Sequence, residues 1–86
     1  MPEVSRFYGI VVRFYYRDHP PSHFHAIYEG CDLLFDIESD MLGEGQPAGS
    51  PIALANQWRA LHLQELRENW DRAREQQPML PIAPLE

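Results

Sequence analysis

The sequence predicts an α+β domain in which a three-stranded antiparallel sheet packs on one long C-terminal amphipathic helix. Two observations predict it: β-branched and aromatic residues dominate the first third of the chain, and apolar residues in the last third recur every three or four positions. With 86 residues there is room for one core only. We therefore expect a single domain over residues 1–77 and a Pro-rich extended tail over residues 78–86.

Three strands are expected in the first half of the chain. The first is predicted from Arg6 to Tyr16, and Pro20-Pro21 ends it because proline cannot donate to a strand ladder. The second is predicted from His23 to Tyr28 and the third from Leu33 to Glu38, with a turn at Glu29-Gly30. The short connections favour an antiparallel meander.

One helix is predicted after a loop over residues 39–50. Ser50 is suited to be its N-cap and Pro51 its first residue. The helix can reach Gln76, which is long for so small a domain, so a break within it is the alternative. Its apolar stripe consists of Leu54, Ala55, Trp58, Leu61, Leu66, Trp70 and Ala73.

Charge and composition restrict the function. The net charge of −6 excludes a broad phosphate-binding surface, which needs many cations. Six acids and no base lie in residues 29–50, whereas residues 1–28 are slightly positive and hold three of the four histidines. One small cationic site is therefore compatible with the sequence. The single cysteine, Cys31, excludes an internal disulfide, and no apolar run approaches a membrane span, so a cytoplasmic protein is expected.

Alternation along the strands gathers polar side chains on the outer face of the sheet. On the first strand, the predicted core side chains are Tyr8, Ile10, Val12, Phe14 and Tyr16. On the second strand, Phe24, Ala26 and Tyr28 are assigned to the core, so His23 and His25 point outward. The outer face, which we call the histidine face, consists of Arg13, Tyr15, Arg17, His23, His25, Asp36 and Glu38, with Asp18 and His19 at its edge.

Two kinds of chemistry suit the histidine face. The first is metal-free acid–base catalysis on a phosphodiester, in which one imidazole acts as the base, the other acts as the acid, and an arginine stabilises the developing charge. It needs no cofactor, and its predicted catalytic residues are His23, His25, His19, Arg13, Tyr15 and Arg17. The second is a zinc site formed by His19, His23 and His25, with Asp36 or Glu38 as an oxygen ligand and an open position for water.

Two readings without catalysis stay open. In the first, Arg13 and Arg17 simply neutralise Asp36 and Glu38 across the strands, with pairs worth roughly 0.2–1 kcal/mol each. In the second, the chain is a protein-interaction module whose partner covers Trp70 or the 78–86 tail.

Three segments resemble a small bacterial family, the domain of unknown function 4160. They are Pro2-Glu3-Val4-Ser5-Arg6-Phe7-Tyr8-Gly9-Ile10, then Asp18-His19-Pro20-Pro21-Ser22-His23-Phe24-His25, then Glu65-Leu66-x-x-Asn69-Trp70 with Ala73. The His-Pro-Pro-x-His-Phe-His element is quite specific, and the resemblance covers nearly the whole chain. The family usually has a basic or polar tail after the helix, whereas this tail is Pro-rich and apolar.

The resemblance implies a toxin–antitoxin pair, because family members look like one half of two-gene modules. This chain resembles the toxin side, which would act on RNA or on translation. The implied partners are a small protein from a neighbouring gene, RNA and a second copy of the chain, but no membrane. The residues carried over are His19, His23 and His25 from the central motif, and Arg6 and Tyr8 from the opening one.

Overall fold

The computed structural model describes residues 3–39, 47 and 49–86. These residues form four strands and two helices. In chain order they are β1 (Glu3–Phe7), β2 (Ile10–Arg13), β3 (His23–Tyr28), β4 (Cys31–Asp36), α1 (Pro51–Leu61) and α2 (Leu63–Arg74). The strands form one antiparallel sheet in the order β1-β2-β3-β4. The α+β class is thus confirmed, whereas the predictions of three strands and of one long helix are wrong.

A hairpin divides the predicted first strand. Tyr8 and Gly9 have positive φ angles of 47° and 79°, as in the two-residue turns that match the twist of antiparallel strands. The turn pairs Phe7 with Ile10 and reverses the chain. Tyr8 is consequently 58% exposed at the hairpin tip, and it does not belong to the core as predicted.

The core lies between one face of the sheet and the two helices. Phe24 of β3 stacks on Phe35 of β4 with ring centroids 5.2 Å apart, and its ring meets that of Trp58 edge-on at 5.7 Å. All three side chains are fully buried. Of the predicted inward residues of the first strand, Ile10, Val12 and Phe14 are buried, but Tyr16 lies beyond the end of β2 and is exposed.

His62 separates the two helices. Its backbone (φ −124°, ψ 31°) is not helical, and its Nδ1 lies 2.6 Å from Glu65 Oε1 in the first turn of α2. Because of this break, the predicted stripe is not continuous, and Leu61 is 66% exposed. The predicted start of the helix is confirmed, since the Ser50 hydroxyl accepts the Ala53 N–H. Most of the predicted loop over residues 39–50 lies outside the described residues.

The segment 78–86 has neither helix nor strand, and it packs on the rest of the chain. Ile82 N–H donates to Val4 C=O of β1, and the Trp58 indole N–H donates to Ala83 C=O. Asn69 of α2 binds both backbone groups of Leu80, at 2.8 Å each. Neither of the two helices described is long and apolar enough to cross a membrane.

Asn69→Ala should lower the free energy of unfolding by about 1–3 kcal/mol, because it leaves the N–H and C=O of Leu80 without partners. The melting temperature should fall by about 4–8 °C for each kcal/mol in a domain of this size. Gln64→Ala, at an exposed position of the same helix, is the matched control. Equal melting temperatures for the two variants would contradict this role for Asn69.

Candidate functional site

The side chains of β3 alternate between the core and the outer face of the sheet. Phe24 and Ala26 are buried, and His23 and His25 lie on the opposite face. His23 pairs in register with Asp36, and His25 lies between Arg13 of β2 and Leu34 of β4. The two imidazole rings are 5.3 Å apart. Two histidines of one strand therefore stand side by side at the end of the sheet.

The loop between β2 and β3 brings Asp18 to both histidines. Asp18 Oδ2 lies 2.7 Å from His23 Nε2 and 3.4 Å from His25 Nε2. The other oxygen, Oδ1, accepts the backbone N–H of His19 at 2.9 Å. We call Asp18, His23 and His25 the Asp–His cluster; one ligand atom from each can be chosen such that all lie within 4.8 Å of one another.

The second nitrogen of each imidazole also faces an oxygen atom. His23 Nδ1 lies 2.9 Å from Pro21 C=O, and His25 Nδ1 lies 2.9 Å from Asp32 Oδ1. A carbonyl and an ionised carboxylate only accept hydrogen bonds, whereas a neutral imidazole has a single N–H to donate. A neutral ring can therefore satisfy only one of its two oxygen contacts, and a second proton or a bound cation would satisfy the other.

The cluster is partly buried, and aromatic rings pack against both of its histidines. The side chains of His23 and His25 are 11% and 13% exposed. The Trp70 ring of α2 lies 5.2 Å from the His23 ring, and the Tyr15 ring meets that of His25 edge-on at 4.3 Å. The loop also contacts α2, because the Arg17 backbone N–H donates to Ala73 C=O near the end of that helix. Sheet, loop and helix together position the imidazoles.

A cavity of about 550 Å³ opens over the cluster. Its lining combines the three cluster residues with the loop and with one part of β4. The described residues that line it are Asp18, His19, Pro20, Pro21, Ser22, His23, His25, Leu34 and Asp36. A small molecule in this cavity would contact the cluster directly.

The hydrogen bonds around Asp18 lower the pKa of its carboxyl group. Burial by itself raises that pKa, because it disfavours the charged form. The His19 backbone N–H and the imidazoles of His23 and His25 act in the opposite direction and together outweigh burial. Asp18 is therefore anionic at neutral pH, which suits either two imidazolium rings or a bound cation.

The predicted arginines differ in their position relative to the cluster: Arg13 is the cross-strand neighbour of His25, whereas Arg17 lies on the loop between β2 and β3. Neither Arg13 nor Arg17 is among the described residues that line the cavity. Arg13 pairs in register with Glu3 on β1, and the Arg17 guanidinium lies against the side-chain amide of Gln76. His19 lines the cavity, but its ring is outside the Asp–His cluster.

The alternative pairing of Arg13 and Arg17 with Asp36 and Glu38 is also absent among the ion pairs of the described residues. Glu38 instead forms a close ion pair with Arg67 of α2, at 2.6 Å, which lowers the pKa of the Glu38 carboxyl. Asp36 Oδ1 accepts the Glu38 backbone N–H. Arg6 and Tyr8, which the family resemblance singled out, lie on β1 and at its hairpin tip, and Arg6 pairs with Glu3.

Sequence reasoning missed the two carboxylates that matter most. Asp18 is predicted only at the edge of the histidine face, and Asp32 lies between the predicted turn at Glu29-Gly30 and the predicted strand that begins at Leu33. The position of Asp32 could have been predicted from the two-residue turn at Glu29-Gly30. This turn pairs Tyr28 with Cys31, and that register makes Asp32 a diagonal neighbour of His25. No comparable register argument exists for Asp18, which lies on an irregular loop.

Comparison with known proteins gives one match. The family model of the domain of unknown function DUF4160 matches residues 9–71, which is most of the chain and includes the whole Asp–His cluster. No curated protein and no solved structure matches.

In metal-free protein, the Asp18 carboxyl should titrate below the ordinary value of 3.8. Because the pKa is lowered in the folded state, ionised Asp18 stabilises the fold above its unfolded pKa, and this stabilisation is lost as the pH falls through the folded pKa. His23→Ala should raise the pKa towards the ordinary value. Carboxyl ¹³C NMR in the presence of a chelator measures both, and a wild-type value at or above 3.8 would contradict the hydrogen bonding described.

Proposed function

We propose that this chain, which belongs to the DUF4160 family of domains of unknown function, binds a zinc-type metal ion through Asp18, His23 and His25. We further propose that the ion keeps one position open to the cavity and that the protein catalyses a metal-dependent hydrolysis there. Three protein ligands and one open position are typical of catalytic zinc sites.

The observation that carries the proposal is the position of the four imidazole nitrogens. Each Nδ1 faces an oxygen outside the cluster, Pro21 C=O or Asp32 Oδ1, and each Nε2 faces Asp18 Oδ2. A cation bound by both Nε2 atoms leaves one proton on each Nδ1, and each of those protons then has its acceptor. Histidine ligands of metals regularly donate their other N–H to a carboxylate or carbonyl in this manner.

The two distances from Asp18 Oδ2 to the imidazoles suit a zinc ion after a small movement. Tetrahedral ligands at about 2.0–2.1 Å from zinc are separated by about 3.3 Å. The 3.4 Å between Asp18 Oδ2 and His25 Nε2 fits this value directly. The 2.7 Å to His23 Nε2 is a hydrogen-bond distance and has to widen by about half an ångström. Asp18 lies on a loop, so this shift does not disturb the sheet.

Metal-free acid–base catalysis has less support from the same geometry. Each ring nitrogen of His23 and His25 already faces an oxygen atom of the protein, so none is available to exchange a proton with a substrate. The cavity lining described also includes no arginine for a phosphate group.

Toxin activity on RNA or translation therefore stays a prediction from the family resemblance. A partner at Trp70 would have to reach a side chain that is only 7% exposed.

Untagged protein should bind about one zinc ion per chain, as measured by isothermal titration calorimetry and native mass spectrometry. His23→Ala and His25→Ala should abolish stoichiometric binding, because each removes a ligand. His62→Ala is the matched control, since His62 lies between the helices and pairs with Glu65. Circular dichroism shows whether each variant is folded. Equal zinc binding by wild type and His25→Ala would refute the assignment.

The same proteins test hydrolysis. Zinc-loaded wild type should hydrolyse an activated ester such as p-nitrophenyl acetate, and chelation should abolish the reaction. If the zinc-loaded wild type is no faster than His25→Ala, the site binds metal without this catalytic activity.

Asp32→Asn should weaken zinc binding by about 10–100-fold without changing the stoichiometry, because the carboxylate orients the His25 ring. Asp71→Asn, an exposed acid on α2, controls for the change in net charge. Competition with a chromophoric chelator measures both affinities. Identical affinities for the two variants would mean that Asp32 has no part in metal binding.

A further inference from the structure

We propose that His19 is an exchangeable fourth ligand, which occupies the open position of the metal and leaves when a substrate or inhibitor binds. This inference rests on the proposed metal site at Asp18, His23 and His25. It assigns to the site a self-inhibited resting state, in which the chain itself excludes water from the ion.

The loop places His19 beside the site. His19 follows the ligand Asp18 in the chain, and its backbone N–H donates to Asp18 Oδ1 at 2.9 Å. It also lines the cavity onto which the cluster opens. His19 therefore lies on the same loop and at the same cavity as the site, and a change in the conformation of this loop would bring its imidazole to the ion.

The His19 ring can move without breaking a hydrogen bond or an ion pair to the described residues. Over the residues described, the rings of His23, His25 and His62 each contact a protein oxygen atom within 3 Å, whereas no hydrogen bond or ion pair involves the ring of His19. His19 is also exposed. An imidazole without a partner, attached next to a ligand, has a high effective concentration at the metal.

The other candidate for the fourth position is less suitable. Asp36 lines the same cavity, but its Oδ1 already accepts the Glu38 N–H at 2.8 Å. Asp36 also lies on β4, where its backbone is fixed by pairing with His23. A carboxylate there would add a second negative charge to the ligand set, whereas the neutral imidazole of His19 replaces water without changing the charge.

The test compares zinc affinity in wild type, His19→Ala and the control His62→Ala by chelator competition. His19→Ala should bind one zinc ion about tenfold or more weakly than wild type, because the loss of a residue that only orients a ligand already lowers metal affinity by about 10–100-fold. His62→Ala should match wild type. If His19→Ala binds zinc as tightly as His62→Ala, His19 is not a ligand, and the three-ligand site stands without it.

Cobalt substitution gives a second readout that a merely structural role would not change. The visible spectrum of cobalt-loaded His19→Ala should differ from that of wild type, and added imidazole should restore the wild-type spectrum. Identical spectra before imidazole is added would overturn the proposal. Failure of wild type itself to bind zinc or cobalt would instead refute the underlying metal site, and this inference with it.

Discussion

Burial of Phe24 against Phe35 and Trp58 is the constraint on which the site depends. Side chains along a strand alternate between its two faces, so fixing Phe24 in the core fixes His23 and His25 on the other side. A shift of β3 by one residue would bury both imidazoles and expose the phenyl ring, at the cost of the packing of three fully buried aromatic side chains. The core therefore determines which face of the sheet carries the two histidines.

The site also connects parts of the chain that are distant in sequence. The His23 ring packs on Trp70, and the backbone N–H of Arg17 donates to Ala73, so α2 supports both the strand and the loop that hold the cluster. Next to Trp70, the buried Asn69 fixes the 78–86 segment through Leu80. The motif around Asp18 to His25 and the motif around Leu66 to Trp70 thus form one structural unit, in which a rigid helix stabilises the geometry of the imidazoles.

Strand alternation and helix capping were predicted correctly from the sequence, whereas the residues with unusual backbone angles were not. The bounds of β3, the Ser50 cap and the outward histidines follow from alternation and from simple capping chemistry. The β1–β2 hairpin was missed because its turn places a tyrosine at positive φ, where asparagine or glycine is usual. The break at His62 and the approach of Asp18 depend on tertiary packing, for which a single sequence has no periodic signal. Four predicted catalytic residues lie outside the cluster, and they were selected by strand alternation or by motif alone: Tyr15, His19, Arg13 and Arg17. The Tyr15 ring contacts that of His25, and of the other three only His19 is among the described residues that line the cavity.

The proposed metal site requires the two imidazoles and Asp18 to bind a common cation. Anomalous diffraction at the zinc edge, from crystals of untagged protein grown with zinc, tests it most directly. Zinc bound at this site should give a single strong peak about 2.0–2.2 Å from Asp18 Oδ2, His23 Nε2 and His25 Nε2, with Nδ1 of each ring still hydrogen-bonded to Pro21 C=O or Asp32. Absence of a peak among these three atoms, with Asp18 still hydrogen-bonded to protonated imidazoles, would contradict it.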